Sequence, residues 1–400
     1  MALFRSPPAA PIDSSGNFEF RQPVSGRSLR MSFEMKSLAA NLPDGNLITP
    51  QSVDQNWCTP FEPLPWLRGG HAQTLAGNYW RRLPFTLSSE AVSVEVDPDD
   101  GSRVLCHCHW QPESVRGDRL TVLLVHGLEG SSDSRYIRGI TALAWSAGCN
   151  VIRMNMRNCG GTETWSPTLY HSGLSGDVHA VLRHFVYLCG LKRVAIVGYS
   201  MGGNLVLKLA GDLAEGTPEW LMAAVGVSPA IDLAASADAL HGPSNRMYER
   251  HFLRNLMNRF RRKVQLFPEV YSIERARSVR SIREFDDLIT AHYSGFSGAD
   301  DYYFRAASAR SVSRIAIPTL VLHALDDPFI RLTRETALTL EANPAITFME
   351  SRHGGHCAFL GKSNGARGVD SYSIPENCRH WAEATLVRFL MATAGHANGG

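Results

Sequence analysis

The sequence predicts an α/β fold, a mainly parallel sheet with helices on both faces, and three observations carry that prediction. From Leu120 onward, short apolar runs alternate with stretches of helical apolar spacing, the pattern of strands buried on both faces and joined by crossover helices. One run, Arg193 to Val197, passes through Gly198-Tyr199-Ser200-Met201-Gly202 into the helical stretch Asn204 to Leu213, reading as strand, sharp turn and helix. The chain of 400 residues is 44% hydrophobic and 20% charged, within the ordinary globular range and long enough to bury a large core.

Composition excludes several classes. A formal net charge of +2 offers no electrostatic argument for nucleic acid. The 8 cysteines in so long a chain form no disulfide framework, which suits a reducing, cytoplasmic compartment. The proline-rich start, Met1 to Pro11, lacks the apolar core of a secretory signal, and no stretch reaches the roughly 18 apolar residues of a membrane span. Neither export nor membrane insertion is therefore expected.

In chain order, residues 1–54 are rich in Pro, Ser, Gly and Asn with few periodic apolar positions, and a flexible arm is expected there. The stretch Phe61 to Leu75 is too apolar and too sharply punctuated for a linker, and should pack onto the core. Alternation marks strands at Ala91 to Val96 and Arg103 to Trp110, joined by Pro98-Asp99-Asp100-Gly101, as an antiparallel hairpin at a sheet edge. Cys106-His107-Cys108-His109 invites a metal reading. Neighbours on a strand point to opposite faces, so only two of the four could share an ion, and no second cluster completes a site. No metal is expected.

Further strands read at Leu120 to Val125, Asn150 to Met154, Arg193 to Val197, Met222 to Val227, Thr319 to His323 and Ile346 to Met349, making eight. Helical patterns lie between and after them, at Tyr136 to Ala147, Asp177 to Leu188, Asn204 to Leu213, Leu332 to Ala342 and Arg379 to Met391. Function in such sheets collects at the carboxyl ends of the strands, so the residues just after each strand are the candidates.

Ser200 stands first among them. A serine on so sharp a turn takes a strained backbone conformation, and glycines two residues to either side avoid collision across the turn. Its hydroxyl is then held above the sheet end as a nucleophile. After the strand ending at Val125 comes His126-Gly127-Leu128-Glu129-Gly130, where the backbone N–H of Leu128, with that of Met201, is expected to form an oxyanion hole. The loop Asn155 to Gly161 should shape the floor beneath; Cys159 within it reads as a packed thiol and His171 as a pocket-lining candidate. Asp177 suits the start of its helix through the dipole alone.

The triad partners should follow in the order acid, then histidine. Thr319 to His323 runs into Asp326-Asp327-Pro328, and Asp327, directly before the outward turn, is preferred to Asp326 as the acid. Ile346 to Met349 leads into His353-Gly354-Gly355-His356, where His356 at the tip of a glycine loop is the expected base and His353 the alternative.

With these residues in view, a family resemblance emerges. Leu67-Arg68-Gly69-Gly70-His71-x-Gln73-Thr74, His126-Gly127-Leu128-Glu129-Gly130, Asn155-x-Arg157-Asn158-x-Gly160-Gly161 and Gly198-Tyr199-Ser200-Met201-Gly202-Gly203-Asn204 carry it first. The stretch from Phe285-Asp286 to Tyr302-Tyr303, then Asp326-Asp327-Pro328 and Gly354-Gly355-His356, complete it. In this order, over roughly residues 60 to 390, they resemble the YheT/EMB8 branch of the α/β-hydrolases, to which the mammalian membrane-associated ABHD lipases also belong. The resemblance implies the α/β-hydrolase fold and a serine hydrolase of carboxylic esters, lipid-like in some relatives.

Residues 232–310 lie between two strands and are too long for a plain connection. Tyr248, Phe252, Leu253, Leu256, Met257 and Phe260 repeat at helical spacing, so the segment reads as a helical lid inserted between core segments 55–231 and 311–395. From Arg246 to Arg283 there are ten arginines and Lys263 against Glu249, Glu269 and Glu274. Two readings stand: a solvated basic face, or peripheral contact of a basic lid with an anionic lipid or acidic substrate, for which Arg254, Arg259, Arg261 and Arg262 are the named candidates.

The expected function is hydrolysis of a short- to medium-chain acyl ester or a lipid through an acyl-enzyme, with Ser200, Asp327 and His356 as triad and no cofactor. Acyl transfer to an alcohol or phospholipase action by the same triad is one alternative; a non-catalytic lipid-binding module is another.

Overall fold

Val, Ile, Leu and Ala dominate the central strands because both faces of the sheet are covered, and the computed structural model shows that sheet with eight strands. It describes residues 57–82, 84–362, 371–375 and 377–396; the arm expected at 1–54 lies outside them. The strands are β1 (Glu90–Asp97), β2 (Ser102–His109), β3 (Thr121–Val125), β4 (Asn150–Met154), β5 (Val194–Tyr199), β6 (Leu221–Val227), β7 (Thr319–Ala324) and β8 (Ile346–Ser351). Their spatial order is β1-β2-β4-β3-β5-β6-β7-β8. β1 and β2 form the antiparallel hairpin, β2 meets β4 antiparallel, and every other pairing is parallel.

The helices are α1 (Gly70–Tyr79), α2 (Glu113–Arg116), α3 (Arg135–Ser146), α4 (Ser175–Cys189), α5 (Met201–Leu213), α6 (Leu233–His241), α7 (Arg246–Leu266), α8 (Ile282–Phe285), α9 (Ala299–Ala306), α10 (Arg334–Ala342) and α11 (Trp381–His396). Alternate strand residues divide the core into two layers. Val122 and Leu124 of β3 pack with Ile137, Ile140 and Leu143 of α3 and Leu386, Phe389 and Leu390 of α11. Leu123 and Val125 face the other way, with Val181 and Phe185 of α4 and Leu205 and Leu209 of α5. Helices α3 and α5 thus leave the neighbouring strands β3 and β5 on opposite faces. The carboxyl ends of those two strands open a crevice between them, the place where such sheets bind ligands.

The hairpin's Cys106 and Cys108 are buried in the core, where burial pushes both thiols up. On the opposite face, His107 meets Ser89 Oγ at 3.2 Å, and His109 lies between the Ser88 carbonyl at 2.7 Å and Arg153 Nε at 3.0 Å. Each of the two histidines is therefore held by protein partners.

Between β6 and β7 the chain builds α6 to α9, with a π-helical turn at Asp286–Ala291. This insertion is seated by apolar burial: Leu256 and Phe260 of α7 are buried, and Tyr248, Phe252, Leu253 and Met257 pack beside them. Each of the two fully covered side chains contributes roughly 1.5–3 kcal/mol. No helix among the described residues is long and apolar enough to cross a membrane.

Candidate active site

The turn between β5 and α5 is built as its sequence demands. Ser200 has φ 54° and ψ −118°, and three backbone bonds fix it: its N–H donates to the Val227 carbonyl at 2.9 Å, and its carbonyl accepts from Asn204 and Ala230 N–H at 3.1 Å. A Cβ at Gly198 would stand 2.1 Å from the Gly202 carbonyl oxygen, and one at Gly202 2.4 Å from the carbonyl oxygens of Val125 and His126. Only glycine lets β3, β5 and α5 approach this closely.

Across the crevice, the loop after β3 is held from both sides. His126 is buried, and burial drops its ring to about 4, so it is neutral; Nδ1–H donates to the Gly127 carbonyl at 2.8 Å and Nε2 accepts the Met156 N–H at 3.1 Å. That bond ties the loop after β3 to the loop after β4. The Gly127 N–H donates to the Tyr136 hydroxyl at 2.9 Å, whereas the N–H groups of Leu128 and Met201 have no acceptor among the described residues. Both residues line the same cavity as Ser200.

Glu129, at φ 56°, is the loop's anchor. Its Oε1 accepts from the Tyr170 hydroxyl at 2.6 Å and from Arg259 Nε at 3.0 Å, with the two ion-pair side chains only 8% and 11% exposed. Arg259 belongs to α7 and also donates to the Asn158 carbonyl. Four residues on, Lys263 is buried, its amine pulled down to about 8 by burial, and donates to Asn158 Oδ1 at 3.1 Å and to the Ser166 carbonyl. The insertion is therefore pinned to the β3 and β4 loops by buried cations. Removing one partner strands the other, so Glu129→Gln is expected to lower the unfolding free energy by roughly 3 kcal/mol, measured by urea denaturation.

At the end of β7, Asp327 is buried and turns Oδ2 to His356 Nδ1 at 2.8 Å, while Oδ1 accepts the N–H groups of Phe329 and Ile330 at 3.0 and 2.9 Å. Burial works to raise its carboxyl, but His356 and these donors outweigh it and hold Asp327 below the usual range. The His356 ring is in turn pushed up, because the Asp327 charge more than offsets its desolvation. Asp326 faces elsewhere: Oδ1 accepts the Gly355 N–H at 2.8 Å and Oδ2 lies 3.5 Å from His353 Nδ1. Each aspartate thus faces one histidine, and of the two histidines His356 lines the cavity with Ser200.

The stretch around α1 holds both of these loops. A Cβ at Gly70 would stand 1.7 Å from the Asp326 carbonyl oxygen, so only a glycine admits the acid turn there. Thr74 Oγ1 accepts the His356 N–H at 2.9 Å, and buried Gln73 bonds both backbone groups of Leu360 and the Leu67 carbonyl. The apolar run alone assigns this stretch to the core without a role; Gln73, a polar residue within it, is the signal of its bracing contacts. His71 stacks on Tyr248 at 5.6 Å, Tyr248 meets Phe329 at 4.9 Å, and Phe329 packs edge-on against His356 at 4.5 Å, linking α1 and α7 to the histidine.

Other candidates fall where chemistry is weak. Cys159 is buried, its thiol pushed up to about 12. His171 lines the cavity as a neutral ring dropped to about 4 by burial, with Nδ1 accepting the Gly173 N–H at 3.1 Å. Asp177 does more than complement a helix end: its two oxygens take Arg157 Nε and Nη2 at 2.7 Å each, and Asp97 and Asp100 flank the same guanidinium.

Ser200, Leu128, Met201 and His356 surround one cavity of about 870 Å³. Its walls come from the insertion: Leu233 and Leu240 of α6, Phe252, Leu256 and Phe260 of α7, and Phe285 with Tyr302 and Tyr303 beyond.

The pattern of the alpha/beta hydrolase fold family matches residues 121–363. The YheT esterase of Escherichia coli (strain K12) is 34% identical over 75% of this chain and 87% of its own length. The ABHD3 phospholipase of Mus musculus is 31% identical over 75% of this chain and 73% of its own, and the embryogenesis-associated protein EMB8 of Picea glauca 24% identical over 75% and 67%. With a fold of this order and this similarity over three quarters of its length, the chain belongs to the α/β-hydrolase fold family, in the branch of YheT, ABHD3 and EMB8, and is an ester hydrolase.

Proposed function

We propose that this enzyme is a serine hydrolase that cleaves carboxylic acyl esters in two steps through an acyl-enzyme. Ser200 attacks the ester carbonyl while His356 Nε2 takes its proton; Asp327 holds the imidazole by Nδ1 and offsets the charge that forms. The tetrahedral oxygen is received by the N–H groups of Leu128 and Met201. The alcohol leaves with the proton from His356, and water, activated by the same ring, releases the acid. The observation that carries this reading is the 2.8 Å bond between buried Asp327 and His356, at a cavity that also holds the strained Ser200.

The acyl chain lies along the apolar insertion wall, with residues 232–310 acting as the lid. A volume of about 870 Å³ stands in the upper part of the range of small-molecule sites, roughly 300–1,000 Å³. Medium chains therefore fit this wall better than the shortest, and each buried methylene is worth up to about 0.8 kcal/mol. A fluorophosphonate probe should label the protein at Ser200, and a p-nitrophenyl ester series should show rates rising severalfold per carbon pair before falling. A protein that neither reacts with the probe nor cleaves any ester in the series refutes the mechanism.

The pH profile follows from the Asp327 charge. A base must be neutral to act, and His356 is raised above the ordinary histidine value of about 6.5. Activity should therefore rise with pH through a midpoint above 6.5. The rate of probe labelling between pH 5 and 9 measures this directly; a flat profile removes His356 as the base.

A further inference from the structure

Residues that line the cavity and are also open to solvent mark its mouth. On α1 these include Leu75 and Tyr79, the latter 71% exposed; on α7 they include Met247, 74% exposed, with Arg250 and Arg254. A single exposed apolar side chain is ordinary, but three around one opening form a patch with a location. The cations beside them are ordered too. Arg246, Arg250 and Arg254 follow at four-residue spacing on α7, all exposed, and none makes a side-chain hydrogen bond or ion pair with any described residue.

The rest of α7 shows that this is not a general surplus of charge. Arg259 is taken by Glu129, Arg262 by Glu163 at 3.1 Å, Arg261 by Asn258 at 2.9 Å, and Lys263 by buried oxygens. Among the described residues, Arg254 alone of the four arginines the sequence singles out has no side-chain hydrogen bond or ion pair. Among the described residues, Glu129 and Asp286 are the carboxylates that line the cavity, and Asp286 already accepts from Tyr303 and Thr290 at 2.8 Å, so no acid there neutralises the rim.

We propose that this mouth docks on an anionic lipid–water interface, with Leu75, Tyr79 and Met247 entering the headgroup boundary and Arg246, Arg250 and Arg254 pairing with lipid phosphates. Lipid esters would then reach Ser200 without crossing water. The inference rests on the acyl-ester reading of the cavity and names the surface from which it is supplied. Each arginine near an anionic surface is worth about fivefold in binding, so the three together give roughly a hundredfold.

The test is sedimentation of the full chain carrying Ser200→Ala, so that no lipid is consumed, with vesicles of phosphatidylcholine alone or mixed with phosphatidylglycerol. Binding to the mixed vesicles is expected at low salt, and should weaken at high salt as the charges are screened. Adding Arg246→Gln, Arg250→Gln and Arg254→Gln should weaken it roughly a hundredfold. Met247→Ser with Tyr79→Ser should weaken binding to both vesicle types. Removing charge from α4 and the loop after it, by Arg183→Gln with Lys192→Gln, should cost less than tenfold, which separates the rim from net charge; circular dichroism checks that each variant is folded. No binding to mixed vesicles at low salt, or equal loss in the rim and α4 variants, overturns the proposal. A wild-type chain that cleaves a soluble ester but binds no vesicle refutes the docking alone; one that binds vesicles and cleaves nothing refutes the catalytic reading alone.

Discussion

Ser200→Ala is expected to lower the rate of ester hydrolysis by at least about 10⁴-fold while leaving the fold intact. The turn requires its backbone at φ 54°, and an alanine there carries no more bulk than the serine Cβ it replaces. The bonds that fix the turn run through backbone N–H and carbonyl groups of Ser200, which the substitution keeps. What disappears is the oxygen that becomes acylated. A p-nitrophenyl ester assay reads the loss, and thermal unfolding checks that the midpoint moves little. Residual activity within tenfold of the parent would sink Ser200 as the nucleophile.

Asp327→Asn should cost about 10⁴-fold in kcat, and Asp326→Asn less than about tenfold. An asparagine at 327 can still accept the Phe329 and Ile330 N–H groups through its oxygen. Its amide then faces His356 Nδ1 as a donor, which turns the ring to the tautomer with the proton on Nε2. That nitrogen can no longer receive the Ser200 proton. At 326 the situation differs, because the carboxylate serves as an acceptor for the Gly355 N–H and an asparagine oxygen serves equally well. Steady-state kinetics of the two variants rank them, and the reverse order would move the acid by one residue. Loss of the Asp327 charge should also bring the midpoint of the residual labelling profile back down, since that charge is what raises the ring.

What the sequence determined by itself was whatever is encoded by neighbours along the chain. Strand periodicity, the glycine pair around Ser200, and the order of serine, acid and histidine are all local patterns with local physical causes. They placed each candidate of the site at the end of a strand. Helix limits differ by one to five residues at several ends; α5, for example, begins at Met201 because the turn enters the helix directly after Ser200. Tertiary structure alone decided which of two adjacent carboxylates faces which of two histidines, since Asp326 and Asp327 differ only in the direction their side chains leave the turn. It alone decided that Gly70, Gln73 and Thr74 hold the acid and histidine loops, contacts that join segments more than 250 residues apart. On α7 it divided one run of cations into buried ties, Arg259 and Lys263, and an open rim, Arg246, Arg250 and Arg254. Helical spacing assigns each residue a face, but whether a charge on that face meets Glu129, a loop carbonyl or water depends on the distant segment that folds against it.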